Sequence, residues 1–158
     1  MTARSGDYSL SISVYSHSAA ETVEIGKKIG ALLRPGDVIA YKGGLGAGKT
    51  TLTRGIAVGM GLRDDVSSPT FALVNEYRLP GVTPLFHFDM YRINGGAELE
   101  SIGFFDYLQA GGVIAAEWSE NISDELPDGT IFIEIERTGE EERKITIDGG
   151  ERFDCIGD

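Results

Sequence analysis

Apolar and polar positions alternate along residues 8–15, where Tyr8, Leu10, Ile12 and Val14 fall on one side, the period of a half-buried strand. Ser18-Ala-Ala-Glu21 then has the spacing of a capping box. Val23, Ile25, Ile29, Leu32 and Leu33 follow at helical intervals until Arg34-Pro35-Gly36 stops the run. Residues 37–41 (DVIAY) form a short apolar strand that enters the glycine-rich stretch 42–51, and TLTRGIAVGM beyond it predicts a helix closed by Gly61. Further on, 71–78 and 84–89 predict strands, 98–108 a helix and 113–117 another apolar strand. Residues 130–137 and 143–148 alternate strictly around Thr-Gly-Glu-Glu-Glu and predict a solvated antiparallel hairpin at a sheet edge.

Strands alternating with helices give the expected fold class. It is an α/β fold with a mainly parallel sheet and an antiparallel edge hairpin. No Pro- or Ser-rich linker divides the chain, and its 158 residues suit one hydrophobic core. A single domain over 1–158 is therefore expected, with 1–7 and 149–158 loosely ordered. Apolar residues at 41% and charged residues at 25% are ordinary for a globular protein and exclude a disordered, collagen-like or rod-like chain. Glycine, 22 of 158, is about twice its usual share and clusters, which marks tight loops.

The charge narrows the function. A formal net charge of −11 opposes unaided binding to a nucleic-acid backbone, so any nucleic-acid role is expected to run through a basic partner. Cys155 is the only cysteine, which excludes an intramolecular disulfide and fits a reducing compartment. No stretch nears the roughly 18 apolar residues of a membrane span, and residues 1–7 lack a secretory pattern. A cytoplasmic protein without membrane contact is expected.

Gly43-Gly44-Leu45-Gly46-Ala47-Gly48-Lys49-Thr50 is a complete Walker A pattern set between a predicted strand and a predicted helix. Each part has a physical task. The glycines let backbone N–H groups curl into an anion nest, and the helix N-terminus adds about half a positive charge. Lys49 reaches the β- and γ-phosphates of ATP, Thr50 offers a hydroxyl to Mg²⁺, and Thr51 continues the phosphate-facing turn. Acidity elsewhere opposes ATP only weakly, because screening acts over about 8 Å at physiological salt while the loop touches phosphate directly.

Mg²⁺ needs a second protein oxygen, usually an Asp at the end of a neighbouring strand, and Leu85-Phe86-His87-Phe88-Asp89 supplies Asp89. His87, on the same strand face, is either simply packed in the sheet or a partner of the groups around the metal. Glu117 ends the strand 112–117, where a carboxylate can orient an attacking water or sit near the metal, and Trp118 beside it packs on a base or in the core. Thr70, in Ser68-Pro69-Thr70-Phe71, stands where switch residues of nucleotide hydrolases sit.

Four segments, GGLGAGKTTLTRG (43–55), SPTF (68–71), HFDMYR (87–92) and EWSE (117–120), occur in this order and at these intervals. Together they resemble the TsaE (YjeE) family of bacterial ATPases in tRNA threonylcarbamoyladenosine biosynthesis, over residues 18–148. The resemblance implies a P-loop NTPase-like three-layer fold, a single P-loop ATPase domain, and ATP hydrolysis linked to the partners TsaB and TsaD, with tRNA met only indirectly. It implies phosphate and metal roles for Lys49 and Thr50, a metal-binding role for Asp89, a second acidic motif in Glu117 and Trp118, and a switch role for Thr70. Arg92 matches the motif's arginine, as a strut or a phosphate contact. Two alternatives remain, a small-molecule kinase and a nucleotide-binding regulatory subunit with negligible turnover. A GTPase is disfavoured because the N/T-K-x-D guanine-reading pattern is absent.

Overall fold

The computed structural model describes residues 11–43, 47–63, 74–90, 93, 95–117, 122 and 124–157. Among these residues seven strands form one sheet: β1 (Ser11–Ser16), β2 (Val38–Lys42), β3 (Val74–Tyr77), β4 (Leu85–Asp89), β5 (Val113–Glu117), β6 (Ile131–Arg137) and β7 (Arg143–Asp148). Their order is β1-β7-β6-β2-β5-β4-β3. Strands β6, β2, β5 and β4 run parallel, while β1 with β7, β7 with β6, and β3 with β4 pair antiparallel. The β6–β7 hairpin lies on the antiparallel flank as the alternation predicts, with β1 added outside it.

Helices α1 (Ala19–Leu32) and α2 (Lys49–Gly59) cover one face of the sheet, where Ile29, Leu52 and Ile56 meet Ile39, Tyr41, Ala115 and Ile133. The short helices α3 (Gly96–Ser101) and α4 (Phe104–Leu108) cover the other face through Leu99 and Phe104, against Val38, Phe86, Phe88 and Ile114. Three layers therefore stack over the parallel centre. Across the β1-β7-β6 flank, Ile133, Ile135, Ile145 and Ile147 are buried on the helical face, while Ser11, Ser13, Tyr15, Glu134 and Glu136 on the opposite face are exposed.

The N-terminus of α1 forms half of the expected capping box: the backbone N–H of Glu21 donates to Ser18 Oγ at 3.1 Å, while the Glu21 carboxylate accepts at 2.9 Å from the N–H of His17, one residue before the cap, rather than from Ser18. Residues 98–108 are not one helix, as the sequence suggested, because Gly103 takes φ +80 and breaks the run into α3 and α4. The stretch from 149, expected to be loose, is a 3-10 helix over Glu151–Gly157 with Phe153 and Ile156 buried. Arg152 fixes it by a bidentate pair with Asp37 at 2.8 and 2.9 Å, and it also donates to the Leu32 carbonyl. Residues 1–7, Tyr8 and Leu10 lie outside the described residues.

Glycine works here beyond the loops to which its clustering was assigned. Gly26 and Gly30 on α1 face Gly55 and Gly59 on α2, and the two backbones nearly touch. A Cβ added at Gly30 would lie 2.2 Å from the Ile56 carbonyl oxygen, and one at Gly55 would lie 2.2 Å from that of Val23. The crossing sets α2 at a fixed height on the sheet, and α2 begins at the lysine of the glycine loop.

Gly55→Ala tests this with opposite signs. Helix propensity alone predicts a gain of about 1 kcal/mol, whereas forcing the helices apart predicts a net loss of about 2–3 kcal/mol. Urea unfolding should show the loss, and a gain would mean that the helices can separate freely.

Candidate functional site

The site grows from three strand ends. Along β4, Leu85 packs with α1 and α2 while Phe86 and Phe88 pack with α3 and α4. By strand alternation His87 and Asp89 therefore share the α2 side. Along β5, Val113 and Ala115 face the same way, so Glu117 does too. In the parallel register Asp89 stands beside Glu117, and His87 beside Ala115. Two carboxylates thus emerge side by side at the carboxyl ends of adjacent strands, the edge where open α/β sheets carry their ligands.

Strand β2 delivers the third component. Gly43, directly after β2, has φ +134, and a Cβ there would come within 2.5 Å of the Ile135 carbonyl oxygen. Gly48, at φ +110, caps α2 without any side-chain hydrogen bond. That helix starts at Lys49, two residues earlier than its apolar pattern suggested, so its first N–H groups lie directly behind the loop. Gly44, Leu45 and Gly46 lie outside the described residues, while Ala47 is buried and Thr50 and Thr51 are half-buried in the first turn.

Lys49 is 6% exposed. Its Nζ donates to the Gly43 carbonyl at 3.0 Å and lies 3.9 Å from Glu117 Oε1. The other oxygen of Glu117 meets His87 Nε2 at 2.5 Å. Glycine loop, second acidic residue and histidine therefore form one connected buried cluster, which the sequence alone left as separate candidates.

Below the cluster, Thr53 Oγ1 donates to the Lys49 carbonyl at 2.7 Å, so its single proton is spent. Tyr41 must then donate its own proton to Thr53 Oγ1, at 2.6 Å. Burial, the largest cause, raises the pKa of Tyr41 well above the usual phenol value, and the Glu117 charge adds to it. The pair ties the first turn of α2 to β2.

Sequence reading missed Arg143, which it placed on a solvated hairpin. Its Nε donates to the Ala47 carbonyl at 2.9 Å, and its Nη1 donates to the carbonyls of Gly139, Glu140 and Glu142. It joins the β6–β7 loop to the glycine loop. No short motif signals such a pair, whose members are 96 positions apart. A cavity of about 170 Å³ opens beside it, lined by Ala19, Thr22, Gly48, Thr51, Glu140 and Glu141.

Thr70 with its Ser68-Pro69 neighbours, Arg92, and Trp118 with Glu120 lie outside the described residues. Among the described residues no group of three or more His, Cys, Asp or Glu could hold a metal by itself. The donor set suits Mg²⁺ nonetheless, because that ion typically takes one or two carboxylates and fills its remaining positions with phosphate oxygens and water. Asp89 and the Thr50 hydroxyl are such a set, with Glu117 beside Asp89 in the sheet. No helix among the described residues is long and apolar enough to cross a membrane.

The family model described as Threonylcarbamoyl adenosine biosynthesis protein TsaE matches residues 16–145. The tRNA threonylcarbamoyladenosine biosynthesis protein TsaE of Bacillus subtilis is 42% identical over 137 residues, covering 86% of this chain and 85% of that protein. Its counterpart in Treponema pallidum is 36% identical over 132 residues, with 84% and 96% covered. That in Streptomyces coelicolor is 41% identical over 137 residues, with 82% and 92% covered. The crystal structure of Bacillus subtilis YdiB superposes with a TM-score of 0.72 at 35% identity, covering 92% of this chain and 90% of that one.

The buried phenol makes a pH prediction. Tyr41 keeps its proton in the folded state beyond the pH at which the unfolded chain releases it. Its contribution is therefore complete below about pH 10 and is lost as pH rises from there toward the folded value. Tyr41→Phe should cost about 1 kcal/mol at neutral pH through the lost hydrogen bond. It should also flatten the decline in stability above about pH 10. Urea unfolding of both proteins between neutral pH and about pH 11 measures both effects.

Proposed function

The chain belongs to the TsaE family, and we propose that it is a magnesium-dependent ATPase acting in threonylcarbamoyladenosine formation on tRNA through TsaB and TsaD. One observation carries this reading: the strand–glycine loop–helix unit sets Lys49 3.9 Å from Glu117, whose neighbour in the sheet is Asp89. A loop of backbone donors, a lysine and two strand-end carboxylates together suit a triphosphate and its metal better than either ligand alone.

Each residue then has a chemical task. The N–H groups between Gly43 and Thr51 receive the phosphates, and Lys49 leaves the Gly43 carbonyl for the β- and γ-oxygens. Thr50 and Asp89 hold the magnesium, which when bound neutralises charge on those oxygens. Glu117 accepts a hydrogen bond from the attacking water and orients it in line. Thr70 and Trp118, outside the described residues, keep the switch and nucleotide-binding roles that the family resemblance implies. The cluster is cytoplasmic chemistry that never needs the chain to grip tRNA, in keeping with a charge of −11.

The kinase reading loses ground at the hairpin. Arg137 donates to the carbonyls of Gly139 and Glu140, and Arg143 donates to four carbonyls, so both guanidinium groups are engaged by main chain rather than held ready for a transferred phosphoryl group.

Two measurements test the proposal. Calorimetry with Mg-ATP should report binding that Lys49→Ala weakens for triphosphate far more than for adenosine; equal losses would mean that the phosphates lie elsewhere. Phosphate release with purified TsaB and TsaD should fall at least tenfold in Glu117→Ala, while ATP still binds, by about the contribution of a positioned general base or water clamp. Undiminished turnover would remove Glu117 from the reaction.

A further inference from the structure

His87 is an outlier in its strand. Its neighbours Leu85, Phe86 and Phe88 are fully buried and apolar, and the imidazole itself is 0% exposed. Among the described residues its Nδ1 is buried without a hydrogen-bond partner. Burying a polar nitrogen unpaired is unfavourable, and a leucine of similar bulk would avoid that loss entirely. What the imidazole offers in return lies at its other nitrogen, where Nε2 meets Glu117 Oε2 at 2.5 Å.

The geometry points to His87 as the positioning residue that fixes the Glu117 carboxylate from the core side. This rests on the reading of Glu117 as the carboxylate that orients the attacking water. An ionised carboxylate only accepts, so Nε2 carries the proton and Nδ1 is left as a bare acceptor, the more tolerable of the two buried orphans. The sheet makes room for the contact: the register partner of His87 on β5 is Ala115, whose methyl group lets the ring slant toward position 117. One carboxylate oxygen is thereby committed to the core, and the other is turned toward Lys49 at 3.9 Å. When Lys49 is drawn to a phosphate, His87 still holds Glu117 in place. A carboxylate free to rotate about its last torsions would spread its acceptor oxygen over several orientations, and the water would lose its alignment.

The first test needs no nucleotide. The chain has two histidines, so nitrogen-resolved NMR can assign the ring of His87 by comparison with a His17 variant. The wild type should show Nε2 protonated and Nδ1 bare, and Glu117→Ala should abolish that preference. An Nδ1-protonated ring, or a spectrum indifferent to Glu117→Ala, overturns the proposal.

The second test separates positioning from folding. His87→Leu should bind Mg-ADP within about twofold of wild type and lose about 10- to 100-fold in kcat with TsaB and TsaD. His87→Gln, whose side-chain amide can reach the position of Nε2, should recover most of that rate. In a Glu117→Ala background His87→Leu should cost nothing more. Unchanged kcat in His87→Leu, or an equal further loss without Glu117, overturns the proposal. If the leucine variant does not fold, Gln and Asn decide: the Asn amide reaches only the position of Nδ1, so an active Gln and a slow Asn support the role and equal rates refute it. Absence of Mg-ATP binding in the wild type would sink the ATPase reading while leaving the NMR result to stand or fall separately.

Discussion

Two parallel pairings, β2 with β5 and β5 with β4, decide where every candidate ligand ends. Because the three strands point the same way, their carboxyl ends line one edge, and the sheet puts the glycine loop, Glu117 and Asp89 there together. The pairings alone do not set the height of Lys49. That depends on α2, which is held from two directions: by the glycine crossing with α1 and by the Tyr41–Thr53–Lys49 bonds to β2. Arg143 adds a third hold by tying the Ala47 carbonyl to the far hairpin. The glycine loop is thereby fixed at both of its described ends, Gly43 and Ala47.

The cluster of Lys49, Glu117 and His87 makes little sense as a source of stability. Removing charged groups from water is expensive, and an apolar trio of similar volume would often fold as well or better. The neighbouring strands are otherwise uniformly apolar where they are buried, with Leu85, Val113 and Ala115 on the same face. Polar groups concentrated at one end of an apolar sheet mark the place where folding gives way to chemistry. The acidity of the whole chain does not contradict an anion site there, since contact donors act at a few ångströms while distant surface charge is screened.

Much of this was legible beforehand, for identifiable reasons. Periodicity reports burial on one face, so β2, β5, α1 and the hairpin were plain, and Walker A spacing located Lys49 and Thr50 without any tertiary information. Asp89 and Glu117 were legible as strand ends, though their adjacency needed the sheet order. What escaped was what depends on approach between distant segments. Gly26, Gly30, Gly55 and Gly59 were read as part of a loop-marking composition, because a helix contact leaves no local signature beyond its spacing. Arg143 looked like hairpin surface since its acceptor is a main-chain carbonyl, which no side-chain motif encodes. The C-terminal turn was uninformative because its order comes from Arg152 meeting Asp37 across the fold.

The sheet order also bears on how the chain acquires its shape during synthesis. Among the described residues strand β1 is hydrogen-bonded only to β7, with Ser16 opposite Arg143. At about 5–20 residues per second, the ribosome exposes β1 roughly 6–25 s before its partner exists. For that interval a strand carrying Ile12 and Val14 has no mate. Ser11 and Ser13 on its other side interrupt what would otherwise be an adhesive ribbon, acting as gatekeepers for a nascent chain whose first edge is the last to be sealed.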